Sequence, residues 1–429
     1  MPRYEMGDTD IEALAAYLRT LNFQTTPGLT ATDLHFATIV ARNADEIDRR
    51  SVLEILNRFV TDKNAGTRNE SKRASRGAFY RDFMDDSYRK WRLHVWELEG
   101  SPDTWSTQLE ALYAAQPVFA LMGGTGKGSW RPVHEFCQTN EVPCIFPITD
   151  QPVTDEDFYS IYLSGGIAQA ARAVAENMDL ILQTADSPSF NPLDRNGAAS
   201  VGTEKKARVV QVYRHGSAGG AMAKTIRTLL EDSEWSSHDH VIQDAGAPSV
   251  HFWRTLYAEQ PNSILFVWLS AEDMKNFAES GSGGLTGRPE LVLLSETISG
   301  PDAFASPQIA PTRVVSLFEL REGRDRSLQR LRAWLKPRGL QPTNDRIQAD
   351  SYLAVTLMSS AVKHMRRNFS REYMIEIIEH GLDNSVFRSV YPRLTLGPNQ
   401  RFASKGAYIL RPSDTDPENW IPIGETRAH

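Results

Sequence analysis

Short apolar segments of strand length alternate with segments of helical length along most of this chain. Between residues 91 and 150 the apolar segments are rich in β-branched and aromatic residues, as buried parallel strands tend to be. Three strands are predicted at 92–98, 117–122 and 143–146, and two helices at 101–115 and 131–140. This alternation predicts an α/β fold with a largely parallel sheet.

A second series of the same units follows. Its predicted strands lie at 207–213, 240–242, 263–268, 290–294 and 312–318, with helical segments between them. A chain of 429 residues exceeds the ceiling of about 250 to 300 residues for one hydrophobic core. The sequence therefore predicts two α/β lobes, and the late helices around 325–334, 345–367 and 371–381 are expected to return to the first lobe.

Charge and hydropathy argue against two classes of partner. The chain has 47 Lys and Arg against 54 Asp and Glu, a net charge of -7, so no overall basic field favours nucleic acid. No stretch reaches the roughly 18 apolar residues of a membrane span, and the N-terminus as written has no signal pattern. We expect neither a nucleic-acid partner nor membrane insertion.

The two cysteines, Cys137 and Cys144, lie at a predicted helix end and in the strand that follows. With no Cys-x-x-Cys pair and no clustered histidines beside them, they cannot complete a structural zinc site. A disulfide and two separate buried thiols are both compatible with this spacing. The sequence predicts no metal site and leaves the disulfide open.

Polar loops follow two predicted strands of the first lobe, at 123–129 and 147–150. Ligands of open α/β sheets bind at the carboxyl ends of the strands. The first loop is not a phosphate loop, because Leu121 and Gly128 stand where that motif needs Gly and Ser or Thr. Its glycine-rich backbone ahead of a helix can still present N–H groups to an anion such as a carboxylate. No nucleophile with a positioned base is apparent, so we expect no enzyme activity.

The order and spacing of these units over residues 33 to 411 resemble those of type I periplasmic solute-binding proteins of the leucine/isoleucine/valine-binding branch. The resemblance includes the helix end at 57–66, the late helix at 352–363 and the last strand at 405–410. It implies two doubly wound, Rossmann-like lobes joined by a hinge of three crossings, with the ligand in the cleft between them. It also implies a periplasmic receptor that passes its ligand to an ABC transporter permease.

The resemblance implies boundaries for these lobes. Lobe 1 would hold residues 23–160 and 320–388, and lobe 2 residues 161–319 and 389–412. A helix within 1–22 would precede them, and 413–429 would form a tail.

The resemblance also implies ligand-binding positions in both lobes. In lobe 1, Gly124, Thr125, Thr149 and Asp150 match the loops with which the family holds a ligand carboxylate. Backbone N–H groups and hydroxyls make those contacts in the family. We therefore expect this part of the site to bind an anionic group.

In lobe 2 the corresponding positions are His215, Ser270 and Glu296. Glu296 follows the strand after which the family often places an acid that pairs with the ligand's ammonium group. His215 stands where amino-acid binders commonly have Tyr, which departs from the pattern for an aliphatic amino acid. The expected ligand is a small polar molecule, amino-acid-like or amide-like.

Residues 1–21 resemble the end of a class I cytochrome c, in which a Met ligates haem iron and a terminal helix closes the fold. Met1 would be the axial ligand. No Cys-x-x-Cys-His occurs in the sequence, so we expect no cofactor in this chain, and haem c only if an upstream segment is missing. Two alternatives to a transport receptor follow. One is a haem-linked sensor or accessory redox protein, and the other is a cytoplasmic ligand-sensing regulator with free thiols.

Overall fold

Two separate sheets, each with helices packed on it, make up this computed structural model. It describes residues 7–20, 26–74, 89–153, 157–182, 207–233, 235–261, 263–281, 287–305, 310–365, 369–383, 389–397 and 400–427. In its first part the elements are α1 (Asp8–Thr20), β1 (Asp33–Ala41), α2 (Glu46–Ala74), β2 (Lys90–Leu98), α3 (Trp105–Ala115), β3 (Ala120–Met122), α4 (Arg131–Thr139), β4 (Cys144–Ile145), β5 (Ser160–Ser164), α5 (Gly166–Glu176) and α6 (Met178–Leu182).

The second part continues the alternation. It contains β6 (Ala207–Arg214), α7 (Ala218–Leu230), β7 (Trp235–Ile242), α8 (Val250–Glu259), β8 (Ile264–Trp268), α9 (Phe277–Ser280), β9 (Leu291–Ser295), α10 (Glu296–Ser299), α11 (Asp302–Ala305), β10 (Thr312–Ser316), α12 (Arg321–Leu335), α13 (Asp345–Met365), α14 (Arg371–Asp383), β11 (Phe402–Ser404), β12 (Gly406–Pro412) and β13 (Trp420–Arg427).

The two sheets have the same strand order. The first runs β11-β5-β4-β3-β1-β2, with its neighbours paired in parallel. The second runs β13-β12-β10-β9-β8-β6-β7, with β6 to β10 parallel and β12 and β13 added antiparallel at one edge. Each parallel part is doubly wound and has a switch point, between β1 and β3 in one sheet and between β6 and β8 in the other. The predicted α/β fold is confirmed.

Buried apolar side chains cover both faces of each sheet and assign the helices to lobes. On the first sheet, one cluster packs α2, α12, α13 and α14 through residues such as Leu331, Met358 and Ile375, and the other packs α3 and α4 through Leu109 and Phe136. In the second lobe, α5 and α7 cover one face and α8 the other. The late helices therefore belong to the first lobe.

The chain crosses between the lobes three times: from β5 to α5, from β10 to α12 and from β11 to β12. At the first crossing Gly166 has φ +54, and a Cβ there would lie 2.4 Å from the carbonyl oxygen of Asp150. A side chain could not fit between these backbones. At this crossing the main chain of Gly166 therefore packs directly against the main chain of Asp150.

Three segments differ from the sequence-based expectations. Helix α2 runs on to Ala74 instead of ending at 64–66, because Gly66 alone costs only about 1 kcal/mol in a helix interior and good helix formers follow it. Strand β11 pairs with β5, so the chain stays with the first sheet until residue 404. Strand β13 pairs with β12, so 420–427 are part of the second sheet, where the sequence suggested a tail.

The N-terminal helix α1 presents apolar side chains to solvent: Ile11 is 49% and Leu14 42% exposed. Met1, the residue that resembles a haem ligand, lies outside the described residues. In the part of the chain that the structure describes, each helix is too short or too polar to cross a membrane.

Candidate functional site

The loop after β3 is built into the sheet at the first switch point. Gly123 and Gly124 have φ of +58 and +100, and a Cβ on Gly124 would lie 2.8 Å from the carbonyl oxygen of Ile39. Glycine is the residue that tolerates both conditions. The turn brings Thr125 back alongside Val40, where it forms an isolated parallel bridge.

Thr125 therefore lies where the sequence placed it, but its backbone serves the sheet. Its N–H donates to the carbonyl of Ile39 at 2.8 Å, and its carbonyl accepts from the N–H of Ala41 at 2.9 Å. The side chain is 5% exposed. The N–H of Thr125 is therefore not free to bind an anion, and any such contact from this loop must come from another N–H group.

Thr149 and Asp150 follow β4 and lie beside the first crossing. The hydroxyl of Thr149 accepts from the N–H of Gln151 at 3.1 Å. The carboxylate of Asp150 accepts from Nη2 of Arg346 at 2.9 Å, and its carbonyl accepts from the N–H of Ile167 in the second lobe. Asp150 thus joins a cation from α13 to the start of α5.

At the second switch point the predicted residues are surface groups. His215 is exposed. Ser270 is also exposed, and its hydroxyl donates to the carboxylate of Asp273 while accepting from the N–H of the same residue. These contacts fix a turn after β8 and are compatible with a role at the rim of a cleft.

Glu296 is buried, at 3% exposed, directly after β9. Its carboxylate accepts from Nη1 of Arg324 at 2.7 Å and from Nη2 at 3.3 Å, and the hydroxyl of Ser316 donates to it as well. Because Arg324 belongs to the first lobe, this ion pair spans the hinge. The sequence led us to expect that Glu296 pairs with a ligand ammonium group, but its carboxylate is already paired with Arg324.

Phe318, in the second crossing, brings the two ion pairs together. The guanidinium carbon of Arg346 lies 5.1 Å from the centre of its ring and that of Arg324 lies 5.5 Å from it. Both distances are within the range of a cation–π contact. We call Phe318, Arg324, Arg346, Asp150 and Glu296 the Phe318 cluster.

A buried acid adjoins the Phe318 cluster. The hydroxyl of Tyr391 donates to Oδ2 of Asp350 at 3.1 Å, and Nε of Arg346 lies 3.9 Å from the same oxygen. Burial raises the pKa of Asp350 to about 7. Nε of Arg346 and Oδ1 of Asp350 are buried and have no hydrogen-bond partner within the described structure. Unpaired buried polar atoms are costly, so this is a place for a ligand or water.

Sequence reasoning found the two acids of the Phe318 cluster and missed its arginines and its ring. Arg324 and Arg346 begin helices that are dense in charge, where nothing in the local pattern separates them from surface arginines. Phe318 was assigned to the end of a strand. Contacts across 28 and 196 residues of sequence make the cluster.

A disulfide joins Cys137, in α4, to Cys144, in β4, and both residues are buried. It closes a segment with a sequence separation of 7. Of the two alternatives that the sequence left open, a disulfide and two separate thiols, the structure contains the disulfide. Within the described ranges, no three His, Cys, Asp or Glu side chains are grouped closely enough to hold a metal ion.

No protein-family model matches the sequence, and no curated protein sequence matches it either. Solved structures do match. A fatty acid ABC transporter substrate-binding protein from Thermomonospora curvata has a TM-score of 0.59 and 13% identity, over 94% of this chain and 95% of that one. A leucine-binding protein from Thermotoga maritima has a TM-score of 0.56 and 11% identity, over 92% and 99%.

A third match is a solute-binding protein of an ABC transporter from Rhodopseudomonas palustris, solved in complex with 3,4-dihydroxybenzoic acid. Its TM-score is 0.58 at 12% identity, over 92% of this chain and 98% of that one. At such identities the likeness concerns the fold. The chain has the two-lobed fold of the type I periplasmic solute-binding proteins.

Proposed function

We propose that this protein is a solute receptor that binds a small organic acid between its lobes and presents it to an ABC transporter. The observation that carries the proposal is the Nε–H of Arg346, which is buried beside Phe318 where the lobes meet, lies 3.9 Å from Asp350 and has no hydrogen-bond partner among the described residues. A guanidinium with a free donor fits a carboxylate. The proposed function is binding without catalysis.

The charges near this donor support a carboxylate over an ammonium group. Glu296 is paired with Arg324 and Asp150 with Nη2 of Arg346, so neither acid requires a ligand cation, whereas Nε of Arg346 still has a hydrogen bond to give. Asp350, with its pKa raised to about 7, is protonated over the acid side of neutrality and can then donate to a ligand oxygen. Amino acids, expected from the sequence, remain within this class through their carboxylate.

The ligands named for the similar structures point the same way. The proteins described above are named for a fatty acid and for leucine, and one was solved with 3,4-dihydroxybenzoic acid. Each of these compounds is a carboxylic acid. We propose the acid group as the feature that this receptor recognises and leave the apolar part of the ligand to the loops of both lobes.

Closure of the hinge would be the signal that the transporter reads. The Phe318 cluster contains side chains from both lobes and from the second crossing. A ligand bound there would therefore contact both lobes and the segment that connects them. A ligand shifts the balance between open and closed forms only by its differential affinity for them. A site at the lobe interface supplies that difference.

The disulfide supports a periplasmic location for this receptor. Disulfides persist in oxidising compartments and are rare in the reducing cytosol. Cys137 and Cys144 are joined, whereas a cytoplasmic ligand-sensing regulator was expected to keep them as thiols. The disulfide thus supports the proposal of a periplasmic receptor over that of a cytoplasmic regulator.

A thermal-shift screen with matched pairs of compounds tests the proposal. Leucine, octanoate and benzoate would be compared with isoamylamine, octanol and benzyl alcohol, which lack the carboxylate. Saturation at about 100 times Kd stabilises the native state by about 2.7 kcal/mol, so an acid that binds raises Tm. Small-angle scattering on the same samples measures closure as a smaller radius of gyration.

Two variants locate the site. Arg346→Gln should weaken binding of the effective acid at least about tenfold, since a hydrogen bond to a charged group contributes roughly 1.5–3 kcal/mol. Arg332→Gln is the matched control, because Arg332 pairs with Asp345 in a half-exposed position and is not a member of the Phe318 cluster. If no acid raises Tm, or if the alcohols raise it equally, the carboxylate receptor is refuted.

A further inference from the structure

A second concave site lies on the helical side of the first lobe. A partly open cavity of about 160 Å³ lies between α12, α13 and residues 389–390. Leu331, Leu353 and Val390 line it and are themselves 2%, 6% and 3% exposed. None of the ligand-binding positions discussed above lines this cavity. Its interior is apolar and belongs to the core of the lobe.

The cavity opens through a polar mouth. A second cavity of about 250 Å³ shares Ser327 and Ser389 with the first, so the two adjoin. Arg326 and Arg393 line the mouth, and Arg330 lines the inner cavity. None of these arginines forms an ion pair with a described carboxylate. The mouth is an electropositive entrance to an apolar space.

The one carboxylate at the mouth is already engaged. Glu319 accepts from the N–H of Leu320 at 2.9 Å through its side chain. Its own N–H donates to the carbonyl of Val390 at 2.8 Å, which ties the second crossing to the segment that forms the cavity wall. Two guanidinium groups at the mouth, against one carboxylate among the residues that line it, favour an anionic group at the entrance.

A polar atom without a partner lies deeper in. Thr356, on α13, lines the inner cavity but not the mouth. Its hydroxyl oxygen is buried and has no hydrogen-bond partner within the described residues. A ligand in the inner cavity whose polar group came within reach of Thr356 would satisfy this hydroxyl.

We propose that this cavity is a second binding site, for a single-ring phenolic acid. An apolar cavity of about 150 Å³ holds a benzene molecule, so the volume fits one aromatic ring. The ring would lie against Leu331 and Leu353, the carboxylate at Arg326 and Arg393, and the phenolic hydroxyl at Thr356. This site goes beyond the proposed receptor function, because it is separate from the Phe318 cluster.

Methyl NMR of the full chain, titrated with 4-hydroxybenzoate, tests the assignment. Methyl signals of Leu331, Leu353 and Val390 should shift in a saturable manner. Benzoate, which lacks the hydroxyl, should bind about tenfold more weakly, and phenol, which lacks the carboxylate, should also bind about tenfold more weakly. No saturable shift of these methyls at millimolar 4-hydroxybenzoate would overturn the proposal.

Conservative variants separate the two ends of the ligand. Thr356→Val should weaken 4-hydroxybenzoate about tenfold and leave benzoate unchanged, and the Arg326→Gln/Arg393→Gln pair should weaken both acids about tenfold. Thr61→Val, on α2, is the control, because its hydroxyl bonds the carbonyl of Asn57 and faces no cavity of this pair. Equal loss of both acids in Thr356→Val would overturn the placement of the phenol.

The outcome is independent of the proposed receptor function. Arg346→Gln removes the donor of the proposed receptor site and should leave the titration of the Leu331 and Leu353 methyls in place. A protein that binds acids only through Arg346 would shift other methyls and would leave these unchanged. Failure of one site is thus distinguishable from failure of the other.

Discussion

Removing Arg324 should destabilise the protein more than removing any half-exposed arginine of the same helix. Arg324→Met leaves Glu296 buried at 3% exposure without its cation. Breaking a buried ion pair by deleting one partner costs roughly 3–5 kcal/mol. Because the Arg324 side chain is 28% exposed, we take the lower end and expect a loss of about 3 kcal/mol.

Neutralising both partners should recover most of this loss. In Arg324→Met/Glu296→Gln no charge stays buried, and the amide can still accept from the hydroxyl of Ser316. Pairs in contact show coupling energies of about 0.5–3 kcal/mol, and we expect about 2 kcal/mol here. The matched control is Arg332→Met on the same helix, whose partner Asp345 is 39% exposed, with an expected loss of at most about 1 kcal/mol.

Urea unfolding followed by circular dichroism and tryptophan fluorescence measures these differences. The two signals must coincide before a free energy is extracted, since a two-lobed protein can unfold in steps. A loss for Arg324→Met no larger than that for Arg332→Met would refute the reasoning. A double variant as unstable as the single one would refute the claim that the unpaired charge is the cause.

Four further outcomes can be checked by stability measurements. Replacing Cys137 and Cys144 by alanine should cost about 2.5 kcal/mol, the loop-closure value for a crosslink that closes about eight residues, and reductant should lower Tm of the unaltered protein only. Asp350 has a raised pKa of about 7, so the folded state binds more protons than the unfolded state. Stability should therefore fall as pH rises from 3.8, the ordinary pKa of an aspartate, to about 7, and Asp350→Asn should flatten this dependence. Gly124→Ala should destabilise by about 1–3 kcal/mol because of its positive φ and the close carbonyl. Gly66→Ala, a helical position with nothing within 4 Å, should stabilise by about 0.5–1 kcal/mol.

The strands were predictable because each is encoded locally. A run such as 264–268, fully buried in β8, reads as a strand without knowledge of its neighbours, and the alternation with helices then favours parallel pairing. The end of α2 was not predictable, since a lone glycine stops a helix only weakly. The pairing of β11 with β5 involves three residues of the chain and a partner more than 200 positions away, so no local signal marks it.

In the candidate site, too, some residues could be predicted from the sequence and others could not. Glu296 and Asp150 were found because acids after strands lie at the edge where ligands bind. Their roles were not found, because those depend on Arg324 and Arg346, which reach the acids only through the packing of α12 and α13 on the first sheet. A charge that looks available in the sequence is thus neutralised in the folded chain.

The close approach of Gly166 to Asp150 bears on how quickly the two lobes could move apart in the proposed receptor. At this crossing no side chain separates the two backbones, so rotation of the lobes there meets no side chain that must change rotamer. The Phe318 cluster, in contrast, holds two arginine side chains of the first lobe against one ring and pairs one of them with Glu296 of the second lobe. We expect the activation barrier for opening to arise at the Phe318 cluster, so that its arginines determine the rate of ligand release. We expect the axis of rotation to pass near Gly166, so that the main chain there determines how the lobes rotate.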